Sequence, residues 1–373
     1  MERVLVTGAA NIGKAGVATI VYKWGQEFDP DILVYDYLMQ SGLPDEQYQI
    51  AIKEKGGIMY TIDGSKSIVG VIRWVKRIIS ENHYKVLHIN SDSAYVAAAY
   101  IFAAKRAGIK KIYVHSHCTQ IDDNNRIRRA VKAAFHKICI PYVNTNTEMF
   151  LACSQLAGEW MFGKKNVRSN RYRTIYNGVE VEKYLFDADM RSKYRHDIGL
   201  DGKFVIGNIG RFSFQKNQSF LIDVFKTYHN INKESMLVLI GVGELEKTLK
   251  IQVSEAGLND SIVFLGTRND VPLLLSAIDL IVMPSRFEGL PVTMVEAQMS
   301  ALPCVVSGAI TKEAKFTDNV AYVDSWDISE WVINISDMAG KSRNISTEQL
   351  TESAFNIRRA TKELENILLF NNN

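Results

Sequence analysis

Four cysteines in 373 residues, none of them in a CxxC pair, leave little to hold a metal or a disulfide frame. Cys118, Cys139, Cys153 and Cys304 sit in apolar surroundings, so reduced, buried thiols in a cytosolic protein are expected, without a zinc site. No uncharged apolar run reaches the roughly 18 residues of a membrane helix. The chain opens on MERVLVTGAA, which already reads as a strand where a leader would stand. Low-complexity segments and short repeats are missing, which removes solenoid and tail-like classes. There is no HExxH and no DxD flanked by apolar strands, so no metal cluster is expected. The basic stretches lack interleaved aromatics, and nucleic acid is not an expected partner.

What is present points to a soluble globular chain: 47% of residues are hydrophobic and 23% charged. The length exceeds one ordinary core and implies two domains of about 150 to 200 residues. The net charge of +3 conceals an asymmetry, because residues 1–180 hold 24 Lys+Arg against 16 Asp+Glu (+8) and the remainder 20 against 25 (−5). The front half therefore favours an anionic ligand or surface.

Apolar, β-rich runs alternate with helical patterns. RVLVTG, DILVYDY, KVLHIN and KIYVHSH read as strands in the first half, with the alanine-rich SAYVAAAYIFAAKRAG as a helix between the last two. KFVIGNIG, SMLVLIG, SIVFLG, DLIVMP and PCVVSG recur in the second half. Such alternation predicts an α/β fold with parallel sheets covered on both faces. Two successive runs predict two doubly wound, Rossmann-like domains facing a cleft, 1–178 and 179–350, followed by a C-terminal helix and tail, 351–373. Ligands of such sheets bind outside the carboxyl ends of the strands.

Three loops carry phosphate-binding chemistry. The first, GAANIGKA (8–15), nearly spells GxxxxGK[ST], but Ala15 replaces the hydroxyl that holds magnesium in a P-loop. It also imitates the glycine turn of short-chain dehydrogenases. Gly8, Gly13 and Gly16 are spaced differently, no tyrosine has a lysine four residues on, and Asp36 is the acid available near the end of the second strand. Gly13 and Gly16 would let backbone N–H groups approach a diphosphate; the plainer reading is a tight strand-to-helix turn. The second loop, GRFSFQKNQSFLIDVF (210–225), sets Arg211 and Lys216 five residues apart before an amphipathic helix, which suits a pyrophosphate or, more plainly, two solvated loop charges. The third, SRFEGLPVTMVEAQ (285–298), puts Glu288 before Pro291 and Glu296 inside the helix that Pro291 opens. Carboxylates accept hydrogen bonds only and match vicinal hydroxyls, so Glu296 could grip a ribose diol and Glu288 a sugar. The plainer alternative makes Glu296 a surface helix former and Glu288 a partner of the helix dipole.

With these residues assembled, the chain resembles a retaining glycosyltransferase of the GT-B fold, family four. The resemblance rests chiefly on the two glutamates of EGLPVTMVE, on Arg211 and Lys216, on NIGKAGVATIVY and IYNGVEVEKY, and on VHSHCTQ, which places His117 at the acceptor-side histidine. ACSQLAGEWMFG (152–163) is similar to members that build capsule, exopolysaccharide or surface glycans. The resemblance implies retaining transfer of a hexose-type sugar from a nucleotide-sugar, with a UDP-sugar as the leading donor. It implies that Arg211 and Lys216, with backbone at Gly16, Gly289 and Leu290, bind the diphosphate. Glu296 would hold the ribose and Glu288 the donor sugar, while Arg268, Asn269 and the Gly241–Gly243 loop border the base. His117 would sit beside the transferred sugar; His115 is its competitor on the same strand face, and His88 and Asn90 are further lining candidates. No cofactor is expected, the nucleotide-sugar being a substrate, and positive side chains with helix N–H groups would replace a metal.

The acceptor implied is a glycan or a polyprenyl-diphosphate-linked glycan. RIRRAVKAAFHKI (126–138) spaces apolar and basic residues as a helix that could lie on an anionic membrane, although a solvated face explains it too. The expected location is cytoplasmic, peripheral at the inner leaflet. Two competing functions remain: a nucleotide hydrolase or oxidoreductase using the first glycine loop, and a non-catalytic sugar-binding protein on the same scaffold.

Overall fold

The computed structural model describes residues 1–13, 16–40, 42–62, 67–343 and 345–370. They form two compact units, one of Met1–Ile121, Asn125–Gly178 and the C-terminal segment from Ile357, the other of Asp122–Asn124 and Val179–Asn356.

The first unit is built on strands β1 (Glu2–Val6), β2 (Leu33–Met39), β3 (Met59–Thr61), β4 (Val86–Ser91), β5 (Lys111–Ser116), β6 (Met149–Ala152) and β7 (Tyr172–Thr174). They pair in parallel in the order β3-β2-β1-β4-β5-β6-β7. β2, β4 and β6 are buried along their whole length, because helices cover both faces of the sheet. One face packs Val75, Ile78 and Ile79 of the helix Ile68–Asn82, and Ala97, Ile101 and Ala104 of the helix Ala94–Arg106, onto Leu87, Ile89 and Val114. The small alanines let that second helix sit close to the sheet.

The second unit contains β8 (Phe204–Ile209), β9 (Ser235–Ile240), β10 (Ile262–Gly266), β11 (Leu280–Met283), β12 (Cys304–Ser307) and β13 (Val320–Val323), in the parallel order β10-β9-β8-β11-β12-β13. Its core joins Leu221, Val224 and Phe225 of the helix Gln218–Ile231 to Leu237, Leu239, Val282 and Trp331. Each sheet reverses its winding once, between β1 and β4 and between β8 and β11. The loops leaving those strands flank the switch point at the carboxyl edge, where sheets of this kind bind ligands.

The C-terminal helix expected from 351 onward runs Ile357–Phe370 and is preceded by a short helix, Thr347–Thr351. Between them Val179 N–H donates to Phe355 O at 2.8 Å, so the chain pairs as backbone with the start of the second unit. The longer helix packs on Gly16–Glu27 within the first unit. Among the described residues no helix is long and apolar enough to cross a membrane.

Candidate active site

In the second unit the loops after β8 and β11 are clasped together across the switch point. Lys216 Nζ donates to Glu288 Oε1 at 2.7 Å, and Gln215 Nε2 donates to Glu288 Oε2 and to Phe287 O, each at 3.0 Å. Arg286 N–H donates to Gln215 O at 2.8 Å, and its guanidinium lies 4.7 Å from the centre of the Phe214 ring. Glu288 is 5% exposed, so its charge is stabilised by these donors and not by bulk water. Asn217, in the left-handed region at φ 57°, turns the chain into the helix Gln218–Ile231 and accepts from Arg286 Nη2 at 2.7 Å. Buried Gln218 ties that helix start to Asn208 of β8 and to Arg211 O. Lys216 and Glu288, assigned above to separate parts of a donor, thus face each other as an ion pair. Gln215 completes it, and nothing in the loop's composition distinguished that glutamine.

The remaining cations are each paired locally. Arg211 reaches Glu244 Oε2 at 3.0 Å on an exposed rim, and Arg268 binds Asp270, its neighbour two residues on. Asn269 is exposed beside them. Both loops lie at the carboxyl edge, after β8 and β10. The glycines after β9 have a steric cause. A Cβ at Gly241 would stand 2.1 Å from Gly210 O, and one at Gly243 would stand 2.3 Å from Phe212 O, so only glycine lets these loops close on each other. The helix carrying Glu296 runs Val292–Met299, one residue later than Pro291 suggested, with Pro291 at its cap. Gly289 and Leu290 are buried ahead of it. Glu296 itself accepts from the Tyr184 hydroxyl at 2.6 Å.

In the first unit the glycine loop follows β1. Gly8 (φ 85°) and Gly13 (φ 81°) hold conformations that L side chains avoid, and a Cβ at Gly13 would collide with the Tyr48 ring. Gly16, the first residue of its helix, has open space around its Cβ position. Lys14 and Ala15, on which the P-loop comparison turned, lie outside the described residues. Asp36 is not a free acid at a strand end. It sits mid-way along β2, fully buried, accepting from Arg3 Nε (2.8 Å) and Nη2, from Tyr84 OH (2.6 Å) and from Ile58 N–H (2.7 Å). With its lone pairs spent on the fold it cannot hold a ribose, which removes the acid that the oxidoreductase alternative relied on.

The histidines read as lining candidates form an internal stack instead. Trp24 lies on His115 (centroids 5.0 Å apart), which lies on His117 (4.5 Å) and faces His88 (5.5 Å). His88 and His115 are fully buried, so neither lines a surface; alternation put them on one sheet face but could not say that Trp24 covers it. His117 is 7% exposed, and its Nε2–H donates to Asn90 Oδ1 at 2.9 Å; Asn90 Nδ2 donates in turn to Thr7 O. Desolvation first, then the neighbouring imidazoles, pushes these groups toward the neutral form: His88 down to about 3, His115 well below its ordinary value, and His117, by burial alone, to about 3. His117 is therefore a neutral imidazole with the proton on Nε2.

Two parallel, doubly wound units with this distribution of cations and carboxylates are the architecture of a GT-B glycosyltransferase. Residues 16–183 match the profile described as Glycosyltransferase Family 4, and residues 190–320 that described as Glycosyl transferases group 1. The chain belongs to glycosyltransferase family 4. EpsF of Bacillus subtilis, named as a glycosyltransferase, is 27% identical over 311 residues, covering 82% of this chain and 79% of its own. The UDP-Gal:alpha-D-GlcNAc-diphosphoundecaprenol alpha-1,3-galactosyltransferase of Escherichia coli is 28% identical over 289 residues, covering 71% and 73%. Among solved structures, HepE of Anabaena in complex with UDP-glucose shares the fold with a TM-score of 0.74, at 20% identity over 99% of this chain and 96% of its own.

Proposed function

We propose that this protein transfers a hexose-type sugar from a UDP-sugar to a lipid-linked glycan during surface polysaccharide synthesis, with retention at the anomeric carbon. The observation that carries the reading is the Lys216–Glu288 clasp across the β8/β11 switch point, with Arg211 in the same loop as Lys216 and Glu296 in the helix that follows Glu288. A diphosphate arriving there would draw Lys216 and Arg211 off their carboxylate partners and onto its own oxygens. That releases Glu288 to accept from sugar hydroxyls, and the cations neutralise the charge that develops as the nucleotide departs. Arg268 and Asn269 would border the base, and Gly289 and Leu290 would approach the diphosphate by backbone. His117, neutral at working pH, would serve as a hydrogen-bond partner of the sugar, not as an acid. The donor and acceptor classes are supported by HepE binding UDP-glucose and by the relative that acts on a diphosphoundecaprenol glycan.

UDP at about a hundred times its Kd should stabilise the protein by about 2.7 kcal/mol, which a thermal shift reads directly. Response to ATP or NAD alone would overturn the reading. Transfer should survive EDTA, and NMR of the product should show the donor's anomeric configuration; activity restored only by magnesium would refute the metal-free route.

A membrane-borne acceptor is supported by the helix Arg126–Asn146. Ile127, Val131, Phe135, Ile138 and Tyr142 are all exposed, Ile127 by 76%, and fall within roughly 80° of arc at 3.6 residues per turn. The buried His136 and Val143 lie on the opposite side, so among the described residues this apolar stripe joins no core. Arg128 flanks one edge, and Arg126 and Lys137 the other. Flotation with vesicles containing phosphatidylglycerol should exceed that with phosphatidylcholine alone and fall several-fold in Phe135→Ser/Ile138→Ser. Indifference to lipid charge would remove this support.

A further inference from the structure

We propose that Tyr184 is the positioning residue of the ribose site: its hydroxyl fixes the Glu296 carboxylate so that one oxygen is presented to the nucleoside diol. The inference rests on the reading of Glu296 as the ribose acceptor and adds to it a residue outside the phosphate-binding loops.

Tyr184 ends the short helix Val181–Tyr184, at the start of the second unit's main segment, 112 residues before Glu296 in sequence. The two meet because this helix packs on Val292–Met299. The Tyr184 ring is nearly buried, at 6% exposed, and its hydroxyl stands 2.6 Å from Glu296 Oε1. A carboxylate can only accept, so the bond exists in one sense, phenol to carboxylate. Burial first, and then the Glu296 charge, raises the Tyr184 hydroxyl well above its ordinary value, so the phenol remains a donor at every working pH. Among the described residues the Glu296 side chain makes no other hydrogen bond, which leaves Oε2 uncommitted. A free glutamate spreads its carboxylate over many rotamers, and a site that must meet two adjacent hydroxyls gains by having them reduced beforehand. Tyr184 supplies that restriction through a rigid ring held in the core, where a second flexible side chain would not.

The test is calorimetric titration of the full chain with UDP and with 2′,3′-dideoxy-UDP, for the parent, Tyr184→Phe, Glu296→Gln and the double variant. Tyr184→Phe removes one oxygen and keeps the ring. It should weaken UDP about tenfold and leave dideoxy-UDP within about twofold, with KM for the UDP-sugar rising while kcat holds. The double variant should bind UDP no more weakly than Glu296→Gln alone. Equal losses for both nucleotides would show a merely structural tyrosine and overturn the proposal, as would unchanged UDP affinity in Tyr184→Phe. If Glu296→Gln itself bound UDP normally, the ribose reading would fall and the proposal with it. A weakened Glu296→Gln beside a normal Tyr184→Phe sinks the proposal alone.

Discussion

Lys216→Met should lower kcat by about a hundredfold or more and, in the same protein, destabilise the fold by about 3 kcal/mol. The two effects have one origin. In the unliganded enzyme Lys216 is the charged partner of Glu288, and their side chains are only 17% and 6% exposed. Removing the ammonium leaves a buried carboxylate without its paired cation, and an uncompensated buried charge costs far more than the pair contributes. The rate effect arises because the same cation is then absent when the diphosphate leaves. Denaturant unfolding and turnover on one preparation would separate them. The double variant Lys216→Met/Glu288→Gln should recover most of the stability, since no buried charge remains, yet stay inactive. A single variant as stable as the parent would show that the ion pair is not held in the folded enzyme. One that turns over normally would remove Lys216 from the reaction.

Acid should unfold the first unit early. His88, His115 and His117 are buried and neutral, His88 and His117 lowered to about 3 and His115 well below its ordinary value, against about 6.5 for a free imidazole. Above pH 6.5 both states are unprotonated and the stack costs nothing. As pH falls below 6.5 the unfolded chain takes up protons that the folded stack refuses, so stability is lost by about 1.4 kcal/mol per pH unit for each of His88 and His117 down to about pH 3, with His115 adding a loss of the same sign. From pH 7.5 to 5.5 His88 and His117 together remove about 3 kcal/mol, roughly 8 °C in Tm for a unit of this size, and His115 acts in the same direction. Carboxylates, ionised throughout this interval, contribute little to that change. His115→Leu, which keeps an apolar body against Trp24, should make the slope measurably shallower. A Tm flat across this range, or a slope unaltered by His115→Leu, would mean the imidazoles are hydrated or already charged in the fold.

Much of this enzyme was legible in one dimension, and for a definite reason. Buried parallel strands must be apolar along their whole length, so VLHIN, LVLI and LIVM announce themselves, whereas the three-residue β3 and β7, half-exposed at the ends of their sheet, carry too little signal to separate from loop. Arg211, Lys216 and Glu288, charged residues close to a glycine just after a strand, and Glu296 in the helix that follows, also stand out by their spacing. Partnership is another matter. Asp36 looked available because strand periodicity reports a side chain's face but not what covers it, and Arg3, Tyr84 and the Ile58 amide arrive from distant segments. The histidine stack escaped for the same reason: Trp24 comes from a helix whose docking is decided by the sheet.

The amino-acid order by itself therefore determined the alternation of strand and helix, the two doubly wound units and the family, since these follow from local periodicity and from motifs read within a few residues. Only the tertiary structure decided that Lys216 holds Glu288, that Tyr184 holds Glu296 and that three histidines are kept neutral. Each depends on a close contact between segments remote in sequence, where a displacement of one ångström makes or breaks a hydrogen bond and no local pattern records it.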